Sequence, residues 1–438
     1  MTTRVADTIV RLPWLALLVG GGLALRVGTI LILPPYAWFD GGDGPYYARQ
    51  AWLIANGAPT GPMQTVGPLY PLGLAAIWLL FPHQPDPAAP ETVATGFLMT
   101  VRLVQALIGA LTTVLVFALG RALGLRREAA LAGAGGVSLG PAFVIESFMV
   151  RTETLGLFLF AGAVLAYLRA RHTDRLAPMV GAGVVCAAAA LSRPMLLLFP
   201  VAIAAHALIV DGRPGGRRRA AALLAAAVVT LAPWHLWLHA ASGSWLPAGL
   251  SANLLHGAYS HGGPPDPVTF HALERRAADA GRGILGEATH LIAADPMGWV
   301  VRRARNVAGA LAQPHGTSDL GGPSVRAALG DWVRGNRSTS ELRPIVTTWG
   351  FAIRVIVYLF HYAGLALAVA GLSLTRRDWR TWLPLWIAIA YVVGLHAVLT
   401  ASPRYLFLIQ PFVWVLAAAA LSVAAGWFFQ PVLSYNRR

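Results

Sequence analysis

Three groups of residues in this sequence have types and spacings suited to chemistry. The first is built on carboxylates. The segment Trp38-Phe39-Asp40-Gly41-Gly42-Asp43-Gly44-Pro45-Tyr46-Tyr47-Ala48 sets Asp43 between two glycines. Glycine lets a backbone approach a ligand closely. Pro45 suits the first turn of a helix, here predicted to run to about Asn56. Asp43 then stands just ahead of that helix, where its carboxylate either faces a ligand or simply caps the helix. The second group is Glu146, Arg151 and Glu153, in a short turn between two apolar runs. Glu153 opens the next helix, where a carboxylate also suits the dipole. The third group is basic: Arg102, Ser192-Arg193-Pro194 and Ser402-Pro403-Arg404-Tyr405. Arginine is a bidentate partner for phosphate; taken singly, each of these also fits ordinary headgroup contact. The chain has no phosphate-binding glycine loop before a soluble helix and no His/Cys metal spacing. Its single cysteine, Cys186, excludes an intrachain disulfide.

The elements that must position these groups follow from composition. Of 438 residues, 56% are hydrophobic and only 12% are charged, and the mean hydropathy is +0.59. These values exclude a soluble enzyme, a disordered chain and a disulfide scaffold, and point to an all-α polytopic membrane protein. Apolar runs at about 13–35, 98–122, 129–146, 154–170, 177–192, 194–210, 219–241, 345–374, 381–400 and 404–429 give about ten transmembrane helices. The net charge of +15 comes from 34 basic residues, all arginine, against 19 acidic ones. It needs no nucleic acid to explain it, because cytoplasmic loops of membrane proteins are basic. Seventeen of the arginines cluster near residues 4–11, 121–127, 169–175, 213–219, 376–380 and 437–438. The positive-inside rule puts those segments in the cytoplasm, with both termini. Parity then leaves the short run Leu69–Phe81 lying in the membrane surface or dipping in from outside. The external regions are a first loop, 36–97, and a long segment, 242–344, with helices expected at 270–295 and 297–312. Residues 1–241 thus form one module, 242–344 an external region and 345–438 a C-terminal three-helix segment. Arg26 and Arg354 fall inside apolar runs and should face the bundle or snorkel. His235 and His239 at the outer end of the seventh span are expected to be structural.

The order of these motifs resembles that of GT-C glycosyltransferases that use a polyprenyl-phosphate-linked sugar, such as protein O-mannosyltransferases and the aminoarabinose transferases acting on lipid A. Asp43-Gly44-Pro45-Tyr46-Tyr47-Ala48 resembles their D-x-x-x-Y-A segment, and Pro68-Leu69-Tyr70-Pro71-Leu72 their P-P-L-Y-P segment, which opens a juxtamembrane helix. Arg102 with Leu119-Gly120-Arg121, Thr152-Glu153-Thr154-Leu155, Leu191-Ser192-Arg193-Pro194, Ala232-Pro233-Trp234 and Arg404-Tyr405 match later landmarks, so the likeness runs from about 13 to 430. Three departures stand out. Gly44 replaces a frequent acidic residue, His235 to His239 replace a frequent Arg-Asn, and no basic residue lies in Gln64 to Gly67.

The resemblance implies a GT-C-like bundle that moves a sugar from a polyprenyl-phosphate donor to an acceptor hydroxyl with inversion, on the outer face of the plasma membrane. It implies Asp43 as general base and Glu153 as its companion. Asp40, Tyr47, Arg102, Arg151, Arg193, Arg404 and Tyr405 would then bind substrate. The acceptor is left open among protein, lipid and polysaccharide. No cofactor is obligatory, and a divalent cation near Asp43 and Glu153 is left open. The rival reading is a transporter or flippase of lipid-linked saccharides, which would carry its charges near the midplane. A second rival is a non-catalytic scaffold, which has no need of Asp43, Glu153 and an arginine in one cleft.

Overall fold

In a bilayer every backbone polar group must find its partner within its own segment, so apolar runs become helices. The computed structural model describes residues 13–37, 39, 43–58, 66–81, 93–210, 215–259, 267–317, 320, 332–335, 349–424 and 426. Among these the regular structure is all helical. The helices are α1 (Pro13–Ile32), α2 (Gly44–Ala55), α3 (Leu69–Trp78), α4 (Thr95–Ala122), α5 (Arg127–Leu139), α6 (Pro141–Phe148), α7 (Glu153–Ala170), α8 (Ala177–Ser192) and α9 (Phe199–Val210). There follow α10 (Gly215–Ser242), α11 (Ala248–Tyr259), α12 (Pro267–Asp279), α13 (Gly283–Ala294), α14 (Pro296–Ala312), α15 (Trp349–Thr375), α16 (Trp379–Val398), α17 (Pro403–Leu406) and α18 (Gln410–Ala424).

Among the described residues, six helical stretches are long and apolar enough to cross a membrane, or seven if the bent pair α5–α6 is one span. One of the six, Gly350–Val398, holds both α15 and α16, separated by a 3-10 turn at Arg376–Asp378. The helices at 177–192 and 199–210 are apolar but short, so the expected total of about ten spans is not established by length. The chain is a multi-pass membrane protein. Two further expectations are corrected. The span expected at 129–146 is broken after Leu139, and α5 and α6 meet at 45°. The helix expected over 270–295 is divided into α12 and α13, because Gly281 and Gly283 adopt left-handed φ values of 65° and 64°, which end a right-handed helix.

The break before α6 has a chemical cause. Pro141 has no N–H, so the carbonyl of Val137 loses its helical partner. Arg26 of α1 supplies the missing donors. It is fully buried, and it gives Nη2 to Val137 O at 3.1 Å, Nη1 to Ser138 O at 2.8 Å and Nε to Ser147 Oγ at 3.1 Å. Arg26 therefore faces the bundle, and its positive charge sits at the negative end of α5.

Small residues let the helices approach closely, as in other membrane bundles. A side chain at Gly183 would collide with the Leu223 carbonyl where α8 meets α10, and one at Gly371 with the Leu416 carbonyl where α15 meets α18. The main core lies among α4, α7, α8, α16 and α18, with Phe160 edge-on to both Phe199 and Phe412. A separate cluster of Phe39, Tyr47, Tyr70, Trp78 and Phe97 seats α2 and α3 against the N-terminal end of α4. Thus α3 is a short apolar helix packed beside α2 rather than a spanning one by length.

Candidate active site

Three charged side chains, Asp43, Arg193 and Arg404, line one cavity, and a fourth, the buried Glu153, pairs with both arginines behind its wall. Asp43 precedes α2 in the N-cap position, but its carboxylate makes no capping bond to that helix. It accepts instead from Arg404 Nη2 at 2.5 Å. Glu153, at the start of α7, is buried and accepts from Arg404 Nε at 2.5 Å and from Arg193 at 2.8 Å. The result is a chain Asp43–Arg404–Glu153–Arg193 that balances two carboxylates with two guanidiniums. The partners around Glu153 are what a buried charge requires.

Local sequence accounts for each arrival. Gly44 lies so close to the Phe39 ring that a Cβ would stand 2.6 Å from it, which lets the start of α2 tuck in. Arg193 ends α8 in extended conformation, as the residue before Pro194 must. Its side chain passes over α7 at Gly156, where a Cβ would come within 2.7 Å of the Arg193 Cδ. Gly67 has no room for a Cβ against the Leu191 carbonyl, so the 66–68 segment runs directly along the end of α8. Ser402 caps α17 by accepting from Tyr405 N, which fixes Arg404 in its first turn.

The cavity encloses about 190 Å³ and is lined in part by Asp43, Tyr47, Thr152, Arg193, Arg404 and Tyr405. Burial, reinforced by the negative charges of Asp43 and Glu153, raises the Tyr47 hydroxyl pKa well above the usual phenol range, so it stays protonated. Tyr405 stacks on His396 with 5.2 Å between centroids, and the Arg193 guanidinium lies 5.9 Å over the Tyr405 ring. Pro194, Met195, Leu250 and Leu399 line this cavity and also a second, apolar chamber of about 680 Å³. The polar cavity and the apolar one therefore share a wall.

Two expected substrate residues lie elsewhere. Arg102 is buried and ties backbone together: it donates to Phe148 O at 3.0 Å, to Ala37 O at 3.0 Å and to Pro35 O, and stacks 3.6 Å over the Phe148 ring. Arg151 is buried in the turn after α6 and is not among the cavity's lining residues. Asp40 lies outside the described residues. Glu146 turns away from the cavity and pairs with His315 at 2.5 Å, both buried. His235 bonds the Trp245 carbonyl at 2.8 Å and His239 stacks on the Trp245 ring, so both brace the end of α10. Sequence reasoning missed Asn253 and His396, which also line the cavity. No local motif marks either one; only the closeness of His396 to the Ser402–Tyr405 turn hinted at it.

Residues 94–237, covering α4 to α10, match the family model of dolichyl-phosphate-mannose-protein mannosyltransferases. No curated protein is significantly similar in sequence. Among solved structures, the oligosaccharyltransferase from Archaeoglobus fulgidus in the apo form aligns with a TM-score of 0.55 at 16% identity, over 95% of this chain and 51% of that one. The same archaeal enzyme, AglB, in complex with an inhibitory peptide and a dolichol-phosphate gives 0.54 at 16% identity, over 94% and 50%. Its form with Zn and sulfate gives 0.53 at 16%, over 93% and 49%. ArnT from Cupriavidus metallidurans, bound to undecaprenyl phosphate, gives 0.42 at 15%, over 95% and 79%. The chain spans about half the length of the archaeal structures it matches. The fold likeness and the family match over 94–237 agree with the resemblance read from the chain's motifs.

Proposed function

We propose that the protein transfers a sugar from a polyprenyl-phosphate donor to an acceptor hydroxyl at the outer face of the plasma membrane, with both termini cytoplasmic. The observation that carries this reading is the linked set Asp43–Arg404–Glu153–Arg193 at a small polar cavity that shares a wall with a larger apolar chamber. A lipid-linked sugar has the same two parts. Its isoprenoid tail suits the chamber around Leu198, Leu254 and Leu395, and its phosphate suits the arginines at the junction. A structural relative solved with a dolichol-phosphate and a peptide supports the choice of donor class.

In this reading the acceptor oxygen attacks the anomeric carbon from the face opposite the phosphate. Asp43 takes the hydroxyl proton as the new C–O bond forms. The bond from the anomeric carbon to the phosphate oxygen breaks, and its electron pair leaves with the lipid phosphate. Configuration inverts in this single displacement, so no covalent nucleophile is needed. Arg404 and Arg193 stabilise the charge that grows on the leaving phosphate. As that charge grows, Arg404 is drawn toward it and away from Asp43, which frees the carboxylate for the proton. Glu153 is a positioning residue that holds both guanidiniums. Residues 1–241 supply Asp43, Glu153 and Arg193; the 242–344 region covers the cavity with α11; the 345–438 segment supplies Arg404.

A divalent ion does not fit this donor set well. The Arg404 guanidinium already lies between the two carboxylates that an ion would bridge. No group of three or more His, Cys, Asp or Glu side chains suited to a metal occurs among the described residues. No step here uses a metal.

The test is transfer of radiolabel from polyprenyl-phosphate sugars in membranes holding wild type or Asp43→Asn at equal expression. We expect transfer by wild type and a loss of about 10²–10⁴-fold in the variant, the usual contribution of a general base. Full activity in the variant would remove Asp43 as the base. Vectorial movement of a lipid-linked saccharide without transfer would favour the transporter.

A further inference from the structure

Two polar atoms on the cavity wall, His396 Nε2 and Ser192 Oγ, have no oxygen or nitrogen partner among the described residues. His396 lies at the outer end of α16 and is almost completely buried. Its Nδ1 is 2.7 Å from the Thr400 carbonyl oxygen. A carbonyl only accepts, so Nδ1 carries a proton and donates it. In the neutral ring Nε2 is then a bare acceptor. The neighbour within reach is Met195 Sδ, at 3.3 Å, and a thioether has no proton to give. A second ring proton would add positive charge beside two guanidiniums. Arg303 donates to the His396 carbonyl at 2.6 Å, and Arg193 lies over the Tyr405 ring that stacks on the imidazole. Ser192, the last residue of α8, is buried too, lines the same cavity, and its Oγ has no hydrogen-bond partner among the described residues. A buried polar atom without a partner that also faces a cavity is positioned to be completed by a molecule bound there.

The charged groups of the cavity narrow what that ligand is. Both carboxylates, Asp43 and Glu153, are held by guanidiniums, and both guanidiniums are held by carboxylates. Among the described residues, a cationic sugar would find no carboxylate at this cavity without an arginine already on it. An anionic sugar would compete with the phosphate for Arg193 and Arg404. The volume of about 190 Å³ lies below the roughly 300–1,000 Å³ of ordinary small-molecule pockets, which suits one sugar ring and not an oligosaccharide.

We propose that Ser192 and His396 form the subsite that reads the transferred sugar, and that this sugar is a single uncharged ring. His396 Nε2 accepts a proton from one ring hydroxyl, and Ser192 Oγ bonds a second. The subsite rests on the donor reading given above. It predicts a specific behaviour: hydroxyls at the read positions are required, because removing one leaves a buried group unpaired again.

The experiment uses the full chain in nanodiscs and measures binding of four probes: bare polyprenyl phosphate, its mannosyl and glucosyl esters, and its 4-amino-4-deoxyarabinosyl ester. The variants are Ser192→Ala and His396→Asn. Asparagine keeps a donor toward Thr400 but has no atom where Nε2 stood. Unchanged melting temperatures show that the variants fold. In wild type at least one neutral sugar ester should bind more tightly than the bare phosphate, and the amino sugar ester at least tenfold more weakly than that neutral one. Each variant should weaken the neutral ester by about fivefold to tenfold, the size of one hydrogen bond, and leave the bare phosphate unchanged. Equal weakening of ester and bare phosphate would mean a structural role and overturn the subsite. So would an amino sugar ester bound as tightly as the neutral ones. Failure of wild type to bind even the bare phosphate would overturn the donor reading, and the subsite with it.

Discussion

Asp43 and Glu153 both touch Arg404, yet their substitution should leave opposite signatures. Consider Glu153→Gln. The side chain keeps its shape but loses its charge, and Arg193, only 4% exposed, is left with no counter-charge at 2.8 Å. Breaking one member of a buried pair costs about 3–5 kcal/mol. Arg404 is less affected, because Asp43 still accepts from it. For 438 residues the unfolding entropy is roughly 0.9 kcal/mol per degree, so the melting temperature should fall by about 3–5 °C. Asp43 is different. Its side chain is 40% exposed, where an ion pair contributes about 0.2–1 kcal/mol. Asp43→Asn should therefore melt within about a degree of wild type while losing transfer. The assay is tryptophan fluorescence of the solubilised protein at one fixed scan rate, since unfolding of such proteins is commonly irreversible. The double variant Glu153→Leu with Arg193→Met removes the buried pair and should recover most of the melting temperature without activity. If Asp43→Asn falls as far as Glu153→Gln, or Glu153→Gln does not fall at all, the assignment of one catalytic and one positioning carboxylate is wrong.

Three more outcomes follow from the geometry. Chelation of divalent ions should leave transfer unchanged, since Arg404 bridges the two carboxylates; loss on chelation that Mn²⁺ or Zn²⁺ restores would refute this. Gly156→Ala improves helix propensity by about 1 kcal/mol but pushes on the Arg193 Cδ. A shift of about 1 Å at the guanidinium should lower transfer by up to about 10²-fold without destabilising the protein, and unchanged kinetics would show that Arg193 is not needed where it stands. Leu254→Trp narrows the apolar chamber; it should slow transfer from a long-chain donor and spare a short-chain one, and equal effects on both would place the tail elsewhere.

The parts of the site legible in the sequence were those written as local motifs. Asp43 stood out by its flanking glycines and Pro45, and Glu153 by its place at a helix start. Arg193 and Arg404 each sat in a short turn with proline at the membrane edge. Arg102 had the same credentials and went elsewhere, because its use depends on the carbonyls of Pro35, Ala37 and Phe148 coming together around it. That is a tertiary fact with no local signature. His396 and Asn253 were missed for the complementary reason. They read as ordinary residues of apolar and loop segments, and acquire meaning only when α16 and α11 meet at the cavity. The bend at Gly140-Pro141 was missed, because the run 129–146 was read as one span although Pro141 lies inside it. Its partner, Arg26, lies over a hundred positions away, so the compensation could not be read from either segment alone.

Arg26 and Pro141 also bear on how this chain can change. A proline in mid-span disrupts a helix by about 3 kcal/mol, and an arginine in an apolar run is expensive in its own right. Each is a defect alone, and together they complete one set of hydrogen bonds. Replacing Pro141 by alanine would restore an N–H to Val137 O and put it in competition with Arg26 Nη2. Replacing Arg26 by leucine would strand the carbonyls of Val137 and Ser138. Either single step is a descent, and the direct route between bent and straight forms requires both at once. The two positions should therefore have been inherited as a unit, and the bend that carries Ser147 and Glu146 inward should outlast changes in the loops around the cavity.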